Sequence, residues 1–468
     1  MHIEFEAFEY TSEGALQPIC LTFDGDEKDG WSLLRNGTCH LALGPGYRLV
    51  GSLVCGICST DLARQFLPFP LPQVTGHEVI ATDRTGERFA VDINASHHAR
   101  QIETGCPFCL GGLPNHCPER LVLGINELPG GFGAWFLAPI GALRPIPAEV
   151  SLDNAVLVAP LAAALHAAKS LDIRAHDRVA VLGPRKLGML VIAALRAERR
   201  RSDVDFEIVA LARRPELLAL AEQLGADRSV DVSNSCPESS FEVVIDCTGT
   251  PAGFDVALAA VTRELHLKST SGQPAGGIEH LTEFVVDELA LELFTEDRLL
   301  AVSLSDQRDS LVVGWVADGE PPTWLESATD VIRAETPAKL LQILQKEPLP
   351  GFPRVDAVVV DSPQRIVEAI RPPGTGECSP VRPTGTIFYN GPAPEHVNLL
   401  AHLREKNLRL SSSRCGDFDA AIELLASDPQ LQTLGAQMIT HRFEADDLPA
   451  AFDAASTRDC VKAIVNHP

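Results

Sequence analysis

The sequence predicts an α/β protein in which a β-rich N-terminal region precedes a longer region of alternating strands and helices. In residues 1–150, apolar runs of strand length, such as RLVGSLV and EVIATD, are separated by Gly, Pro and Asp. From Ser151 onward, Ala-rich helical stretches and strand-helix patterns dominate. These two textures, in a chain of 468 residues of which 45% are hydrophobic, indicate two or three domains with large cores.

Composition and charge exclude several function classes. A net charge of −24 repels phosphate backbones, so we expect no nucleic-acid partner. The longest apolar run, residues 155–168, is interrupted by Pro160 and His166 and is too short to cross a bilayer, so we expect no membrane partner. The N-terminus MHIEFEAFEY has no secretory pattern, and twelve cysteines with several clustered suit a reducing compartment. A cytoplasmic protein is therefore expected.

A cysteine and an adjacent His-Glu pair predict a catalytic metal site in the first domain. Cys58 lies in a Gly-broken turn, and His77 and Glu78 follow about twenty residues later. Sulfur, imidazole and carboxylate are ligand types that zinc accepts in an open catalytic site. Read alone, the pattern competes with an ordinary buried cysteine and a surface His-Glu pair.

A Gly-rich loop predicts a second, structural zinc site. Its four candidate ligands follow one another at spacings of three, three and eight residues: Glu103, Cys106, Cys109 and Cys117. Three cysteines in one short loop have no periodicity that would turn them toward a core, so metal binding explains them better than packing. His97 and His98 lie in a polar stretch between predicted strands, and we expect them to be solvated.

These motifs resemble the zinc-dependent medium-chain dehydrogenase/reductase family, especially its polyol, sugar and threonine dehydrogenase branch. CSTD at 58–61, GHE at 76–78 and the later cysteine cluster match that family in order and spacing. The resemblance implies a GroES-like catalytic domain and a Rossmann-type coenzyme domain. It also implies a catalytic zinc on the first set of ligands, a structural zinc on the second, and a proton relay through Thr60.

Two departures from the family pattern bear on activity. Polyol-type relatives read Glu-Pro-Leu where this chain has Ala159-Pro160-Leu161, so a glutamate at or beside the catalytic zinc is missing. Ala63 stands where some relatives continue the proton relay through a histidine, and the proton must then leave through water or another group. We expect His166 to be a packed helix residue rather than a replacement ligand.

A dinucleotide-binding turn is predicted within DRVAVLGPRKLGMLVIAALRAERR, which reads as strand, turn and helix. The G-x-G-x-x-G fingerprint keeps its first and third glycines, but Arg185 replaces the second; its guanidinium either turns onto the phosphates or obstructs them. The predicted cofactor-binding residues of this turn are Gly183, Arg185, Lys186, Leu187 and Gly188. A second strand-helix unit, FEIVALARRPELLALAEQLGADRSVDV, favours a doubly wound Rossmann-type sheet.

The end of the second strand of this unit favours NADP over NAD. The acidic residue that would take the ribose hydroxyls of NAD is replaced by Ala212, and Arg213 and Arg214 follow. Two guanidinium groups can hold the additional phosphate of NADP by charge-assisted hydrogen bonds. The alternative is that both arginines only begin the next helix in solvent.

The family pattern is interrupted after Gly272. VVDELALELF and, roughly a hundred residues later, NLRL are both candidates for the last strand of the coenzyme domain. Between them, VDAVVVDSPQRIVEAI and TGTIFYNG echo earlier strand-helix stretches, which indicates either a degenerate half-Rossmann repeat or chance similarity. A Pro- and Gly-rich loop is expected at 372–385. The predicted domains are 1–152 (catalytic), 153–294 (coenzyme), 295–407 (α/β insert) and 408–468 (final strand and C-terminal helices).

Together these features predict a zinc-dependent oxidoreductase that transfers a hydride between an alcohol, polyol or sugar carbinol carbon and NAD(P). The expected partner is a small alcohol or carbonyl substrate, and a homo-oligomer is compatible with the sequence. Ala63, Ala159 and Arg185 favour the alternative, a catalytically degenerate relative that acts as a binding or regulatory protein. No motif identifies the substrate.

Overall fold

The structure divides into two compact units. It is a computed structural model that describes the whole chain except Pro68, Thr104, Ser271, 307–310, Pro350, 375–377 and 393–397. Unit 1 comprises Met1–Leu165 and Cys415–Pro468, and unit 2 comprises His166–Arg414. Parts of the predicted insert at 295–407 and of the predicted loop at 372–385 thus lie outside the described residues. Across the described ranges, no helix is both long and apolar enough to cross a membrane.

The elements follow one another in three segments. The first segment contains β1 (His2–Tyr10), β2 (Leu16–Asp26), β3 (Gly30–Arg35), β4 (Thr38–Leu43), β5 (Tyr47–Gly56), α1 (Ser59–Leu62), β6 (Glu78–Thr82), β7 (Arg88–Val91), β8 (Asn94–Ala95), α2 (Pro107–Leu110), β9 (Leu121–Val122), β10 (Trp135–Pro139), β11 (Leu143–Pro145), α3 (Leu152–Ala155) and α4 (Val158–Ser170). The second contains β12 (Arg178–Leu182), α5 (Lys186–Ser202), β13 (Glu207–Ala212), α6 (Pro215–Leu224), β14 (Arg228–Asp231), β15 (Phe241–Asp246), α7 (Pro251–Ala260), β16 (Val261–Leu267), α8 (Leu281–Val286), β17 (Ala290–Leu293), α9 (Glu296–Asp306), β18 (Val312–Trp315), α10 (Thr323–Ala328), β19 (Asp330–Arg333), α11 (Pro337–Lys346), β20 (Val355–Val360), α12 (Pro363–Ile370), β21 (Val381–Tyr389), α13 (Asn398–Lys406) and β22 (Arg409–Ser412). The third contains α14 (Phe418–Ser427), α15 (Leu434–Met438), β23 (Ile439–Glu444), α16 (Leu448–Ser456) and β24 (Lys462–Asn466).

Unit 1 is β-rich, as its sequence predicts. Strands β1 to β4 form an antiparallel meander, and β1 alternates exposed Glu4 and Glu6 with Phe5, which packs against the core. The described residues also form a seven-stranded sheet of order β11-β7-β6-β5-β24-β23, with β10 on β5. Strand β24 pairs antiparallel with β5. The C-terminal end of the chain is therefore built into the N-terminal sheet.

Unit 2 contains the predicted doubly wound sheet. Six strands run parallel in the order β14-β13-β12-β15-β16-β22, which is the Rossmann order 3-2-1-4-5-6. In β12 the four residues after Arg178 are apolar and buried, as expected where helices cover both faces of a parallel sheet. The predicted fold class, a β-rich domain with a Rossmann-type domain, is confirmed.

A second parallel block continues the same sheet in the order β17-β21-β20-β18-β19. It joins the first block through β17 and β22, which are antiparallel with Leu291 opposite Leu410. The order β19-β18-β20-β21 matches β13-β12-β15-β16, and the run β20-α12-β21-α13-β22 matches β15-α7-β16-α8-β17. The last strands of the two runs are exchanged, because β22 lies beside β16 and β17 beside β21.

This topology favours the internal repeat over chance similarity, while the boundaries of the four predicted domains remain predictions. Both candidate final strands are strands of the sheet, β17 and β22. The loop predicted at 372–385 is wrong from Val381 onward, where β21 begins. Its Pro383 and Gly385 are compatible with a strand here because the β20–β21 register shifts at this end.

An ion-pair bridge crosses the junction of the two blocks. Arg409 on β22 donates to Glu264 Oε1 on β16 at 2.9 Å and to Glu292 Oε1 on β17 at 2.8 Å. Glu264 and Glu292 are 2% and 4% exposed. Because a buried carboxylate is costly without a partner, this guanidinium stabilises the strands on both sides of the junction.

We expect Arg409→Ala to lower the free energy of unfolding by about 3–5 kcal/mol. The substitution removes the cation that buried Glu264 and Glu292 share, and it leaves Glu292 only its ion pair with Arg298. The matched control is Arg333→Ala, since Arg333 also binds two glutamates, Glu320 and Glu326, but is about half exposed. The control should lower the free energy of unfolding much less, because exposed ion pairs contribute little to stability. Urea unfolding followed by circular dichroism measures both, and equal losses in the two variants would contradict the assignment.

Candidate active site

The three predicted ligands of the first metal site lie together at the start of β6 in unit 1. Gly56, the last residue of β5, is paired with Glu78, the first residue of β6. Cys58 follows two residues after Gly56, and His77 precedes Glu78, so the strand pairing brings both motifs to one place. The ligand atoms of Cys58, His77 and Glu78 all lie within 4.8 Å of one another, with the His and Glu buried.

Asp61 holds this arrangement in place, although the sequence analysis gave it no role. Its carboxylate lies 3.2 Å from His77 Nδ1 and accepts backbone hydrogen bonds from Cys58 at 2.9 Å and from Gly76 at 3.2 Å. Burial opposes ionisation of Asp61, but His77 and the two amides lower its pKa. A carboxylate on Nδ1 leaves Nε2 of His77 to face a metal, which is the usual second-shell arrangement of a histidine ligand. Asp61 is the last residue of the CSTD motif, so the sequence did contain a signal for this role.

Lys462 is the second residue that sequence reasoning missed. Its ammonium contacts the Glu78 carboxylate and donates to Ile57 O at 3.3 Å. Burial alone would lower the pKa of Lys462, but Glu78 and Cys58 raise it. Nothing local could have revealed this contact, because it depends on the pairing of β24 with β5. One oxygen of Glu78 is thus committed to the lysine, and the other is left for a metal.

The second cluster contains His97 and excludes Glu103. The ligand atoms of four residues lie within 4.8 Å of one another: His97, Cys106, Cys109 and Cys117. Glu103 is exposed and lies outside this group, so its predicted place as a ligand is corrected. His97 is only 7% exposed, so the expectation that it is solvated is wrong, whereas His98 is exposed as expected.

Local structure explains the exchange of ligands. The short strands β8 and β9 pair, and His97, two residues after β8, lies with Nδ1 3.3 Å from Cys117 Sγ. His97 directs Nδ1 at the sulfurs and places Nε2 3.2 Å from the Glu119 carboxylate. A histidine with one nitrogen on a metal and the other on a carboxylate is a common zinc arrangement. A histidine close to a three-cysteine loop was the available signal.

The donor atoms of this cluster fit a tetrahedral zinc. Cys106 Sγ and Cys117 Sγ are 3.7 Å apart, and His97 Nδ1 lies 3.3 Å from Cys117 Sγ and 4.0 Å from Cys109 Sγ. Zinc ligands at tetrahedral angles are about 3.5–3.8 Å apart. The three cysteines are not in disulfides. The first cluster offers sulfur, nitrogen and oxygen donors, which fit an open zinc site.

The remaining residues predicted near the first site lie as follows. Thr60 Oγ1 is 3.6 Å from Cys58 Sγ, so its hydroxyl is beside the metal ligands. Ala63 ends α1, and Ala159 lies in α4; neither side chain offers a ligand or a proton. His166 Nδ1 is 3.0 Å from the Arg414 carbonyl and belongs to neither metal cluster of the described residues.

In unit 2 the predicted dinucleotide turn follows β12 and opens the long helix α5. Gly183 has φ +75°, and a Cβ there would lie 2.7 Å from Thr248 Cγ2. A Cβ on Gly188 would lie 2.8 Å from Gly183 O. These two positions therefore require glycine, as the fingerprint does. Arg185 has φ −115°, a value open to any residue, and Lys186 and Leu187 form the first turn of α5.

The two arginines predicted to select the cofactor lie at the carboxyl end of β13. Ala212 is the last residue of that strand, Arg213 is exposed, and Arg214 is the N-cap of α6. This end of β13 is on the same edge of the sheet as the Gly183 turn, because β12 and β13 are parallel. In a Rossmann-type fold the adenine ribose of a bound dinucleotide lies at this edge, so a phosphate on that ribose would lie near both arginines.

Comparison with known proteins finds dehydrogenases. No family profile matches the chain. The L-threonine 3-dehydrogenase of Mesorhizobium japonicum is 29% identical over 228 residues, which cover 46% of this chain and 62% of that protein. The chain thus spans somewhat less than two thirds of the length of the curated relatives it matches.

Solved structures share the fold. L-idonate 5-dehydrogenase of Escherichia coli has a TM-score of 0.56 at 16% identity, covering 100% of this chain and 99% of that one. A Sinorhizobium meliloti protein described as a zinc-binding dehydrogenase, bound to NADP, has a TM-score of 0.52 at 18% identity and covers 99% of both chains. The chain is thus similar in sequence to these dehydrogenases over part of its length, and it shares the fold of the solved dehydrogenase structures.

Proposed function

We propose that the chain is a zinc-dependent, NAD(P)-linked dehydrogenase of alcohols or polyols. The observation that carries the proposal is the convergence of Cys58, His77 and Glu78, with a buried Asp61 on the histidine. A degenerate binding protein would have no need to keep this donor set and its supporting carboxylate. The relatives named for threonine and idonate support a substrate with a hydroxyl on a small polar molecule.

The chain's own residues have separable tasks in this proposal. A zinc in the first cluster would polarise the substrate oxygen, and the nicotinamide would exchange a hydride with the carbinol carbon. Asp61 fixes the orientation of His77, and Lys462 balances the charge of Glu78. Thr60 can pass the substrate proton at Oγ1, and water takes it onward because Ala63 cannot. His97, Cys106, Cys109 and Cys117 would hold a second, structural zinc.

The first prediction from this proposed function concerns metal content. Elemental analysis of the purified protein should find two zinc ions per chain. Cys58→Ser should remove one zinc and alcohol-dependent reduction of NADP, with little change in the melting temperature. Cys109→Ser should also remove one zinc but should lower the melting temperature, because a structural site contributes its binding energy to folding. Protein without zinc after expression with adequate metal would contradict the proposal.

The second prediction separates the two alternative ligand sets of the structural site. His97→Ala should lower the zinc content toward one ion per chain and reduce thermal stability, because it removes a buried donor. Glu103→Ala, an exposed change in the same loop, should leave both unchanged. His97→Cys should keep the zinc, since four thiolates also form a structural site. Loss of zinc in Glu103→Ala together with retention in His97→Ala would overturn the assignment.

The third prediction concerns the choice of cofactor. We infer that NADP(H) binds in preference to NAD(H), because Ala212 cannot repel the phosphate and Arg213 and Arg214 can pair with it. Calorimetry should show that Arg213→Ala/Arg214→Ala weakens NADP binding roughly tenfold or more, with NAD affinity nearly unchanged. Arg228→Ala is the control, an exposed arginine at the amino end of the neighbouring strand. Tighter binding of NAD by the unsubstituted protein would show that the inference is wrong.

A further inference from the structure

A buried lysine lies at the edge of unit 2 that carries the dinucleotide turn. Lys268 is the first residue after β16, and Ser413 is the first residue after β22. Both strands are parallel to β12, so these residues share the carboxyl edge with Gly183. The Lys268 amide donates to Asp246 O at the end of β15 at 3.0 Å. Lys268 is 6% exposed.

The position of Lys268 relates it to one half of a dinucleotide. In this strand order the pyrophosphate lies at the turn after β12, where the order reverses. The adenosine half extends toward β13, where Arg213 lies, and the other half extends toward β15, β16 and β22. Lys268 is therefore on the side that receives the nicotinamide nucleotide.

A directed hydrogen-bond chain fixes Lys268 as a donor. Glu264 accepts from the Ser411 hydroxyl at 2.6 Å, so Ser411 Oγ in turn accepts from His266 Nδ1 at 2.9 Å. The other nitrogen, His266 Nε2, then accepts from the Ser413 hydroxyl at 2.8 Å. Ser413 Oγ has used its proton and accepts from Lys268 Nζ at 2.9 Å. The network itself assigns this tautomer.

Other contacts support the same assignment. Lys268 Nζ also donates to the Ser413 carbonyl at 3.0 Å and lies 3.5 Å from the Arg414 carbonyl. Burial, followed by the charges of Lys268 and Arg409, lowers the pKa of His266 well below its ordinary value. A neutral His266 and an anchored ammonium are thus consistent with each other.

The charges around Lys268 are of both signs. Glu288 accepts from the Arg414 amide at 2.6 Å and lies 3.4 Å from His166 Nδ1. Burial raises the pKa of Asp246 to about 6, so this carboxylate is ionised at pH 8. Replacing Lys268 by a neutral residue at pH 8 therefore changes the charge of this edge by one while the Asp246 carboxylate stays ionised.

We propose that Lys268 biases the dinucleotide site toward the reduced cofactor. This inference rests on the proposed function, that unit 2 binds a nicotinamide dinucleotide. The oxidised ring carries a positive charge and the reduced ring does not, so an ammonium on this edge disfavours only the oxidised form. For unit charges on the order of 10 Å apart at an effective dielectric constant of about 20, Coulomb's law gives roughly a tenfold difference in affinity.

The test compares dissociation constants of NADP⁺ and NADPH for the zinc-loaded, full-length protein at pH 8, by calorimetry and NADPH fluorescence. Lys268→Met and Lys268→Gln should each lower the ratio Kd(NADP⁺)/Kd(NADPH) about tenfold, equivalent to about 30 mV in the two-electron potential of the bound cofactor. Lys406→Met is the control, because Lys406 Nζ binds the Val261 carbonyl at the amino end of β16. Its ratio should not change.

The ratio distinguishes charge from structure, because a loss of packing weakens binding of both cofactor forms alike. If Lys268→Met does not fold, Lys268→Gln supplies the measurement, since its amide can still donate to Ser413 Oγ. An unchanged ratio in a variant that binds both forms would overturn this inference and leave the proposed function standing. Failure of the unsubstituted protein to bind either form would overturn both.

Discussion

The pairing of β5 with both β6 and β24 is the constraint on which the candidate metal site of unit 1 depends. It places Glu78 opposite Gly56 and brings Lys462, 384 residues further along the chain, onto the same carboxylate. Glu78 and Lys462 are 5% and 3% exposed, and burying either charge alone would cost several kcal/mol. Each side chain therefore needs the other, and strand β24 supplies the partner of a candidate ligand whose motif lies in the first hundred residues.

Sequence reasoning grouped the candidate ligands that lie in short motifs, and it differed from the structure where folding brings one of two nearby residues to the cysteines. Cys58, His77 and Glu78 lie in two compact motifs, so the order of residues was sufficient to group them. Glu103 is predicted as a ligand because it precedes Cys106 by the same three residues that separate Cys106 from Cys109. In the structure His97, and not Glu103, lies beside the three cysteines. The two-residue strands β8 and β9 that precede and follow this region leave almost no pattern in a sequence.

The sheet of unit 2 shows a different limit. VVDELALELF and NLRL both resembled the final strand of a coenzyme domain because each is the last strand of one βα run. Local patterns can predict such a strand, but they do not state which neighbour it pairs with. Only the folded sheet shows that β17 and β22 are exchanged between the two runs. The bridge from Arg409 to Glu264 and Glu292 is a product of the exchange, since those three residues lie on β22, β16 and β17.

The second block also determines where the sheet ends. Without the strands of this block beyond β17, β17 would be an outer strand, and the unpaired amides and carbonyls of ALEL would form a template for another chain. With it, the outer strands are β14 and β19, whose sequences are RSVD and DVIR. Each is four residues long and begins and ends with opposite charges. Short, charged outer strands oppose edge-to-edge aggregation. The second block therefore replaces the apolar edge of β17 with the short, charged edge of β19.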